Sequence, residues 1–192
     1  MAASNTTRYA VLGMLSRGPC SGYDIKKAID GSIAHFWSES FGQIYPILRR
    51  LAADGLVRRR HETQRGKPDR QVYSITPRGR DALRAWLGHP VRPESFRSEL
   101  LLKLFLGALM PVGTSLGHVG QFQKRQQALL QTYAEIERRL RREHARHPEL
   151  PYWLMTLHYG QRRAAALHDW AADVVKTLGK ADRSRPAHKE PS

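Results

Sequence analysis

One stretch of the chain carries polar and cationic side chains at a spacing that suits contacts with DNA bases. Between Ser38 and Leu56, isoleucine and leucine recur every three or four residues, the apolar stripe of an amphipathic helix. The other faces of this helix carry Ser40, Gln43, Tyr45, Arg49 and Arg50. Such groups hydrogen-bond to base edges when a helix enters the major groove. The same pattern occurs in ordinary surface helices, so the neighbouring elements must decide between the two interpretations.

Both ends of this helix are marked in the sequence. A serine, Ser38 or Ser40, can accept a hydrogen bond from an unpaired amide of the first turn, and Gly55 suits the left-handed position that ends a helix. Pro46 lacks a backbone donor, which predicts either a kink or a helix that begins near Gln43.

Two shorter helices precede it. An apolar pattern predicts the first helix over residues 6–17, and Gly18 and Pro19 end it. Ser21 then caps a second helix that extends to about residue 33. In this second helix we expect Tyr23 and the isoleucines to face inward. The residues expected to face outward are Asp24, Lys26 and Lys27.

A basic hairpin and a fourth helix follow. Residues 56–63 and 70–76 alternate as strands do, and Gly66 and Pro68 predict a turn between them. The hairpin tip carries Arg65, Gly66 and Lys67, with Arg70 just beyond it. The arginines at 58–60 could contact phosphates or could protect a solvated edge strand. Pro77 suits the first turn of the last helix of this region.

This order of elements predicts a winged helix-turn-helix domain over residues 1–88. The third helix would enter the major groove, and the hairpin, or wing, would contact the DNA backbone or the minor groove. The start of the second helix would lie on the DNA backbone through Ser21, Tyr23, Lys26 and Lys27.

Five segments in this domain resemble one family of bacterial regulators. They are YAVLGML at 9–15, GPCSGYDI at 18–25, GQIYPILRRL at 42–51, DGLV at 54–57 and YSITPRG at 73–79. They are similar to the PadR family of transcription regulators, and the resemblance implies a dimeric repressor or activator with the third helix as its recognition helix. Asp69 stands where many members have a basic residue. The wing would then contact DNA through Arg65, Lys67 and Arg70 instead.

The second half of the chain is predicted to be helical throughout. Residues 89–97 contain two prolines and predict a linker. Ser98 caps a helix that is apolar on nearly every side, so we expect it to be buried. Helices over about 115–147 and 151–178 carry coiled-coil stripes too wide for one partner helix, which predicts a dimerisation domain over 98–179. This region resembles the virulence-activator subgroup of PadR regulators, and residues 180–192 predict a disordered basic tail.

The fold class is therefore mainly α with a small β-hairpin: a winged helix-turn-helix domain followed by an all-helical, coiled-coil-like dimerisation domain. The formal charge of +15 favours double-stranded DNA as a partner. No stretch is apolar enough to span a membrane, and no signal peptide is evident, so we expect a cytoplasmic protein that does not bind membranes.

Other chemistry has little support in the sequence. The chain carries no catalytic, phosphate-loop or zinc-protease motif, so we expect neither enzymatic activity nor a cofactor. His144, His147 and His158 could approach a metal, but the surrounding arginines oppose a cation and we expect no metal site. The single cysteine, Cys20, excludes an intramolecular disulfide.

Four tryptophans have two interpretations. Trp37, Trp86, Trp153 and Trp170 could line a pocket for a small apolar or aromatic effector, or they could be ordinary core residues. The function predicted is a sequence-specific repressor that binds a palindromic operator as a homodimer and is released by an effector. The alternative is a winged-helix module that binds proteins without reading DNA, since fold alone does not establish function.

Overall fold

A computed structural model of the protein describes residues 3–34, 36–62, 70–91, 93 and 96–183. The chain divides into two compact units, Met1–Pro93 and Glu94–Ser192. The division falls inside the segment predicted to be a linker, between the last helix of the first unit and the first helix of the second.

The first unit has the predicted order of helices and strands, with one addition. Its elements are α1 (Ala3–Leu15), β1 (Cys20–Ser21), α2 (Gly22–Ser32), α3 (Phe41–Ala53), β2 (Val57–Glu62), β3 (Arg70–Ile75) and α4 (Pro77–Leu87). The three strands form an antiparallel sheet in the order β1-β3-β2, in which Cys20 is paired with Tyr73 and Val57 with Ile75. The sequence did not predict β1, because a two-residue strand is too short to show alternation.

The apolar stripes of α1, α2 and α3 meet in one core. Its buried residues are Val11, Leu12, Leu15, Ile25, Ile29, Ile44, Ile47, Leu48, Leu51, Leu56, Val57 and Tyr73. Burying an aliphatic side chain of this size contributes about 1.5–3 kcal/mol. The core therefore holds α3 by its apolar side and leaves its opposite side in solvent.

The ends of α3 have the predicted cap residues. Ser40 is the N-cap, and α3 begins at Phe41 and continues through Pro46, so the later start near Gln43 did not occur. At the other end, Gly55 has a φ of +69°. The Leu56 N–H donates to the Leu51 carbonyl at 2.9 Å, and the Gly55 N–H donates to the Ala52 carbonyl at 3.1 Å. These are the two hydrogen bonds of a Schellman motif, for which glycine is favoured.

The second unit is a long helical hairpin preceded by a short helix. It contains α5 (Glu99–Phe105), a 3₁₀ turn (Gly107–Leu109), α6 (Val112–Glu143) and α7 (Leu150–Arg183). Tyr133 of α6 packs on Gly160 of α7, where a Cβ would lie 3.1 Å from the tyrosine ring. Gln123 contacts His168, and Glu137 contacts His158, so α6 and α7 run antiparallel.

Two expectations for this unit are not met within the single chain. The expected burial of α5 is not found within the chain, because α5 packs on α6 by one side only and Phe105 stays 86% exposed. The helix α7 continues to Arg183, past the predicted start of the tail at residue 180. Lysine, alanine and arginine in this stretch favour helix, which accounts for the longer helix. Residues 184–192 lie outside the described part of the chain.

None of the helices described is long and apolar enough to cross a membrane.

Candidate nucleic-acid interface

The solvent-facing side of α3 carries the polar residues selected from the sequence. Burial of its apolar stripe on the core turns these residues outward, and each is exposed: Ser40, Gln43, Tyr45, Arg49 and Arg50. Arg49 follows Tyr45 by one helical turn, so the two share one side of α3. The helix therefore exposes two arginines and several hydrogen-bonding groups to solvent.

Gln43 is engaged at the start of its own helix. The Ser40 N–H donates to Gln43 Oε1 at 3.0 Å, and the Ser40 hydroxyl donates to the same oxygen at 3.1 Å. A glutamine that recognises adenine uses both its carbonyl oxygen and its amide nitrogen. Recognition of this kind would require Gln43 to release the cap of α3.

Three exposed rings form what we call the aromatic row: Tyr23 of α2 with Phe41 and Tyr45 of α3. The Phe41 ring centroid lies 6.2 Å from that of Tyr23 and 6.3 Å from that of Tyr45. The expectation that Tyr23 faces inward was wrong, because its ring stacks on Phe41 outside the core and is 60% exposed. Phe41 was not among the predicted surface residues, because its position three residues before Ile44 resembles a place in the buried stripe.

The first turn of α2 is closed by a capping box. The Ser21 N–H donates to Asp24 Oδ2 at 3.0 Å, the Ser21 hydroxyl donates to the same oxygen at 2.8 Å, and the Asp24 N–H donates to Ser21 Oγ at 3.2 Å. The bond from the Ser21 N–H is the main reason why the pKa of Asp24 is lowered. Ser21 therefore holds the helix start, while Lys27 is exposed and Lys26 pairs with Asp30.

An ion-pair network joins the base of the hairpin to α2. Arg70 Nε lies 3.3 Å from Glu62 Oε2, and Arg70 Nη1 lies 3.7 Å from Asp24 Oδ2. Arg60 also pairs with Glu62, and the hydrogen bonds from Arg60 and then Arg70 lower the pKa of Glu62. The guanidinium of Arg70 thus lies between two carboxylates. The other predicted wing residues, Arg65, Gly66 and Lys67, are outside the described residues.

The edge strand β2 adds a cationic surface. Arg58, Arg59 and Arg60 are all exposed, and among the strands the structure describes β2 pairs with β3 alone. Arginines along an open edge also prevent pairing with another sheet.

The tryptophans of the first unit have separate neighbours. Trp86 stacks on Tyr9 with ring centroids 4.7 Å apart, which joins α4 to α1. Trp37 is half-buried, and its Nε1 is buried without a hydrogen-bond partner among the residues the structure describes. Trp86 therefore packs on the ring of Tyr9 and is only partly buried.

The tryptophans of the second unit lie far apart along α7. Trp153 stacks on His147 at 4.5 Å, and Trp170 meets Phe122 edge-on at 5.9 Å. The rise of a helix separates Trp153 and Trp170 by about 25 Å. A shallow groove of about 580 Å³ lies between them and is lined by Met155, His158, Tyr159, Arg162 and Arg163.

The three histidines weighed as metal ligands have other partners. The rings of His144 and His147 are 6.1 Å apart and both contact Trp153. His158 Nε2 lies 3.3 Å from Glu137 Oε1. Over the described ranges, no three His, Cys, Asp or Glu side chains are grouped to hold a metal ion.

A helix-turn-helix with an exposed cationic third helix and a basic hairpin defines a class of protein, the winged helix-turn-helix proteins that bind DNA. Comparison with known families agrees with this class. The model described as the transcriptional regulator PadR-like family matches residues 11–85, and the model described as virulence activator alpha C-term matches residues 96–179.

Known relatives match over most of their length. The negative transcriptional regulator PadR of Bacillus subtilis is 35% identical over 133 residues, which are 68% of this chain and 73% of the relative. The probable transcriptional regulator Rv1176c of Mycobacterium tuberculosis is 28% identical over 181 residues, 88% of this chain and 96% of the relative. The chain belongs to the PadR-like family, and it is a transcriptional regulator.

Solved structures share the fold across both units. Bacillus subtilis PadR in complex with operator DNA matches with a TM-score of 0.79 and 25% identity, covering 90% of this chain and 99% of that one. The virulence activator AphA of Vibrio cholerae matches with a TM-score of 0.73 and 26% identity, covering 91% and 98%. Bacillus subtilis PadR in complex with p-coumaric acid matches in fold, with a TM-score of 0.72 and 24% identity, covering 92% and 96%.

Proposed function

We propose that the protein is a sequence-specific repressor that binds a palindromic operator as a homodimer and is released by a small apolar or aromatic effector. The observation that carries the proposal is the exposed surface of α3. The apolar stripe of this helix is buried in the core, and its exposed residues include Gln43, Tyr45, Arg49 and Arg50. Its relative in Bacillus subtilis is a negative regulator and has been solved with operator DNA, which supports repression as the mode of action.

Each part of this surface has a proposed role. The side chains of α3 read base edges: Ser40, Gln43, Tyr45, Arg49 and Arg50. The start of α2 contacts the DNA backbone through Tyr23, Lys26 and Lys27, while the capping box commits Ser21 to supporting that helix. Arg65, Gly66 and Lys67 extend the contact to the wing, and Arg70 orients the hairpin through its bridge to Glu62 and Asp24.

A second copy of the chain completes the molecule. Several large apolar side chains of the second unit stay exposed within one chain: Leu102, Phe105, Leu106, Leu109 and Met110 around α5, and Tyr152, Met155 and Tyr159 on α7. Exposed apolar surface of this extent favours association, and pairing identical subunits is the commonest form of it. A dimer would present two copies of α3 to half-sites about one DNA turn apart.

Release by an effector is supported by a relative and by one half-buried tryptophan. The complex of Bacillus subtilis PadR with p-coumaric acid concerns a relative that binds an aromatic acid. In this chain Trp37 remains the tryptophan best suited to a ligand, because its buried Nε1 has no partner within the described ranges. Trp86, Trp153 and Trp170 remain candidates, but each already packs on a neighbouring ring. As a regulator of bacterial promoters, the protein would act in the cytoplasm.

Selection of bound fragments from genomic DNA, followed by fluorescence anisotropy, tests the proposal. We expect the recovered operator to be bound at least a thousandfold more tightly than a scrambled duplex of equal length, as is usual for specific regulators (about 10³–10⁷-fold). Affinity for both duplexes should fall steeply as salt rises, because bound phosphates release counterions. Equal affinity for the two duplexes would contradict the proposal and favour the alternative, a winged-helix module that binds proteins.

A further inference from the structure

The three rings of the aromatic row are unusually exposed to solvent for side chains of their size. Tyr23 is 60% exposed, Phe41 43% and Tyr45 42%, although large rings are normally buried at least in part by the core. A contiguous group of exposed rings marks a surface that contacts another molecule. Phe41 lies at the centre of the row and has no polar atom in its side chain.

Packing holds the row in place. Tyr45 lies over Gly22 so closely that a Cβ at that glycine would come within 2.6 Å of the ring. The planes of Tyr23 and Phe41 differ by 9°, and those of Phe41 and Tyr45 by 22°, so the rings are stacked. Lys26 Nζ lies 5.8 Å from the Phe41 ring centroid, within the range of a cation–π contact. The rings of α2 and α3 thus form one ordered surface.

Two rings of the aromatic row lie on the same side of α3 as Arg49, which is proposed to contact bases. Phe41, Tyr45 and Arg49 are spaced four residues apart, so they follow one another along one side of α3. Phe41 is the first residue of α3, and the N-terminal residues of a recognition helix are those that reach base edges. A phenylalanine can offer only an apolar contact there, and the apolar group that the major groove displays is the 5-methyl of thymine.

We propose that Phe41 recognises thymine through its 5-methyl group, which makes it a specificity-determining residue. Tyr23 and Tyr45 hold the ring of Phe41 in place by stacking, and Lys26 adds a cation–π contact to it. The assignment rests on the proposed operator binding and adds a chemical requirement to it. Each half-site contains a thymine whose methyl group lies against Phe41.

Deoxyuridine provides a direct test, because it pairs as thymine does and lacks only the methyl group. Each thymine of the selected operator is replaced in turn, and affinity is measured by fluorescence anisotropy at fixed salt. We expect one position in each half-site where the replacement weakens wild-type binding about fourfold, the factor for burying one methyl group. The other thymine positions should show smaller effects.

The Phe41→Ala variant shows whether Phe41 makes this contact. We expect it to bind the thymine and deoxyuridine operators equally at that position, while it still prefers the operator to a scrambled duplex. The Phe41→Leu variant keeps an apolar side chain and should retain part of the preference for thymine. Thermal unfolding and a circular dichroism spectrum, both near wild type, would show that the variants are folded.

Three results would overturn the assignment. One is wild-type protein that prefers its operator but is indifferent to deoxyuridine at every position. Another is a Phe41→Ala variant that keeps the full penalty for deoxyuridine. Wild-type protein without any preference for the selected operator would contradict the proposed function, and the assignment to Phe41 with it.

Discussion

Arg49 and Tyr45 illustrate how much a single exposed side chain can contribute on this surface. Both lie on the same side of α3, and Tyr45 is fixed by its contacts with Gly22 and Phe41. Arg49 is exposed. Arginine can form two hydrogen bonds with one guanine, which discriminates against other bases by about 1–3 kcal/mol.

We therefore predict that Arg49→Ala lowers the ratio of operator to random-duplex affinity by about tenfold to a hundredfold. Lys67→Ala serves as the comparison, since a wing lysine that binds phosphate should weaken both affinities by a similar factor. Competition titrations at one salt concentration measure both ratios. An unchanged ratio in Arg49→Ala would remove this side of α3 from base recognition.

A cluster of polar side chains around Glu137 connects α6 to α7 by hydrogen bonds. Gln161 Nε2 donates to Glu137 Oε2 at 3.0 Å, and Arg141 Nη2 donates to Oε1 at 2.6 Å. His158 Nε2 lies 3.3 Å from Oε1. The hydrogen bond from Gln161, followed by those from Arg141 and His158, lowers the pKa of Glu137 from 4.5 to about 2.

We predict that Glu137→Gln destabilises the protein by about 1–2 kcal/mol at neutral pH, because the charge-assisted hydrogen bonds to the carboxylate are lost. A carboxyl whose pKa is lowered on folding stabilises the fold above its unfolded pKa, and that contribution disappears as the pH falls through the folded value. The stability gap between wild type and variant should therefore shrink as the pH falls from about 4.5 towards 2.

Urea unfolding at a fixed protein concentration measures this gap over the pH range. Glu135→Gln is the matched control, since Glu135 is exposed on the same helix and should leave stability near wild type at every pH. A gap that does not change with pH would mean that the charge of Glu137 contributes nothing.

At the scale of the whole molecule, one chain leaves too much apolar surface uncovered. Phe105 is 86% exposed, Leu109 79% and Met155 60%, all within the second unit. A helix that is apolar on nearly every side is normally buried. We infer that a second subunit covers α5.

Phe105→Glu should convert the dimer to monomers. A symmetric interface contains the substitution twice, and each copy loses an apolar contact and adds a charge to a buried surface. We therefore expect the dissociation constant of the dimer to rise at least about a hundredfold. Phe105→Leu keeps the apolar contact and should remain dimeric. Sedimentation equilibrium at micromolar concentration distinguishes the two states, and a dimeric Phe105→Glu would place the interface elsewhere.

The sequence by itself determined most of the elements, their order and the caps of α2 and α3. Ser21, Ser40 and Gly55 are capping residues whose hydrogen bonds close within a few positions, and the apolar stripe of α3 repeats every turn. Information of this kind is local, so it can be obtained from neighbouring residues alone. The resemblance to the PadR family was likewise found in short segments of neighbouring residues.

Only the tertiary structure decided which side chains meet across elements. Arg70 bridges Glu62 and Asp24, and Tyr23 stacks on Phe41 outside the core, although the helical pattern placed that tyrosine inside. Such contacts depend on how helices and strands dock, and docking brings together residues far apart in the chain. Periodicity within one helix cannot distinguish a ring buried in the core from one stacked on a neighbouring helix.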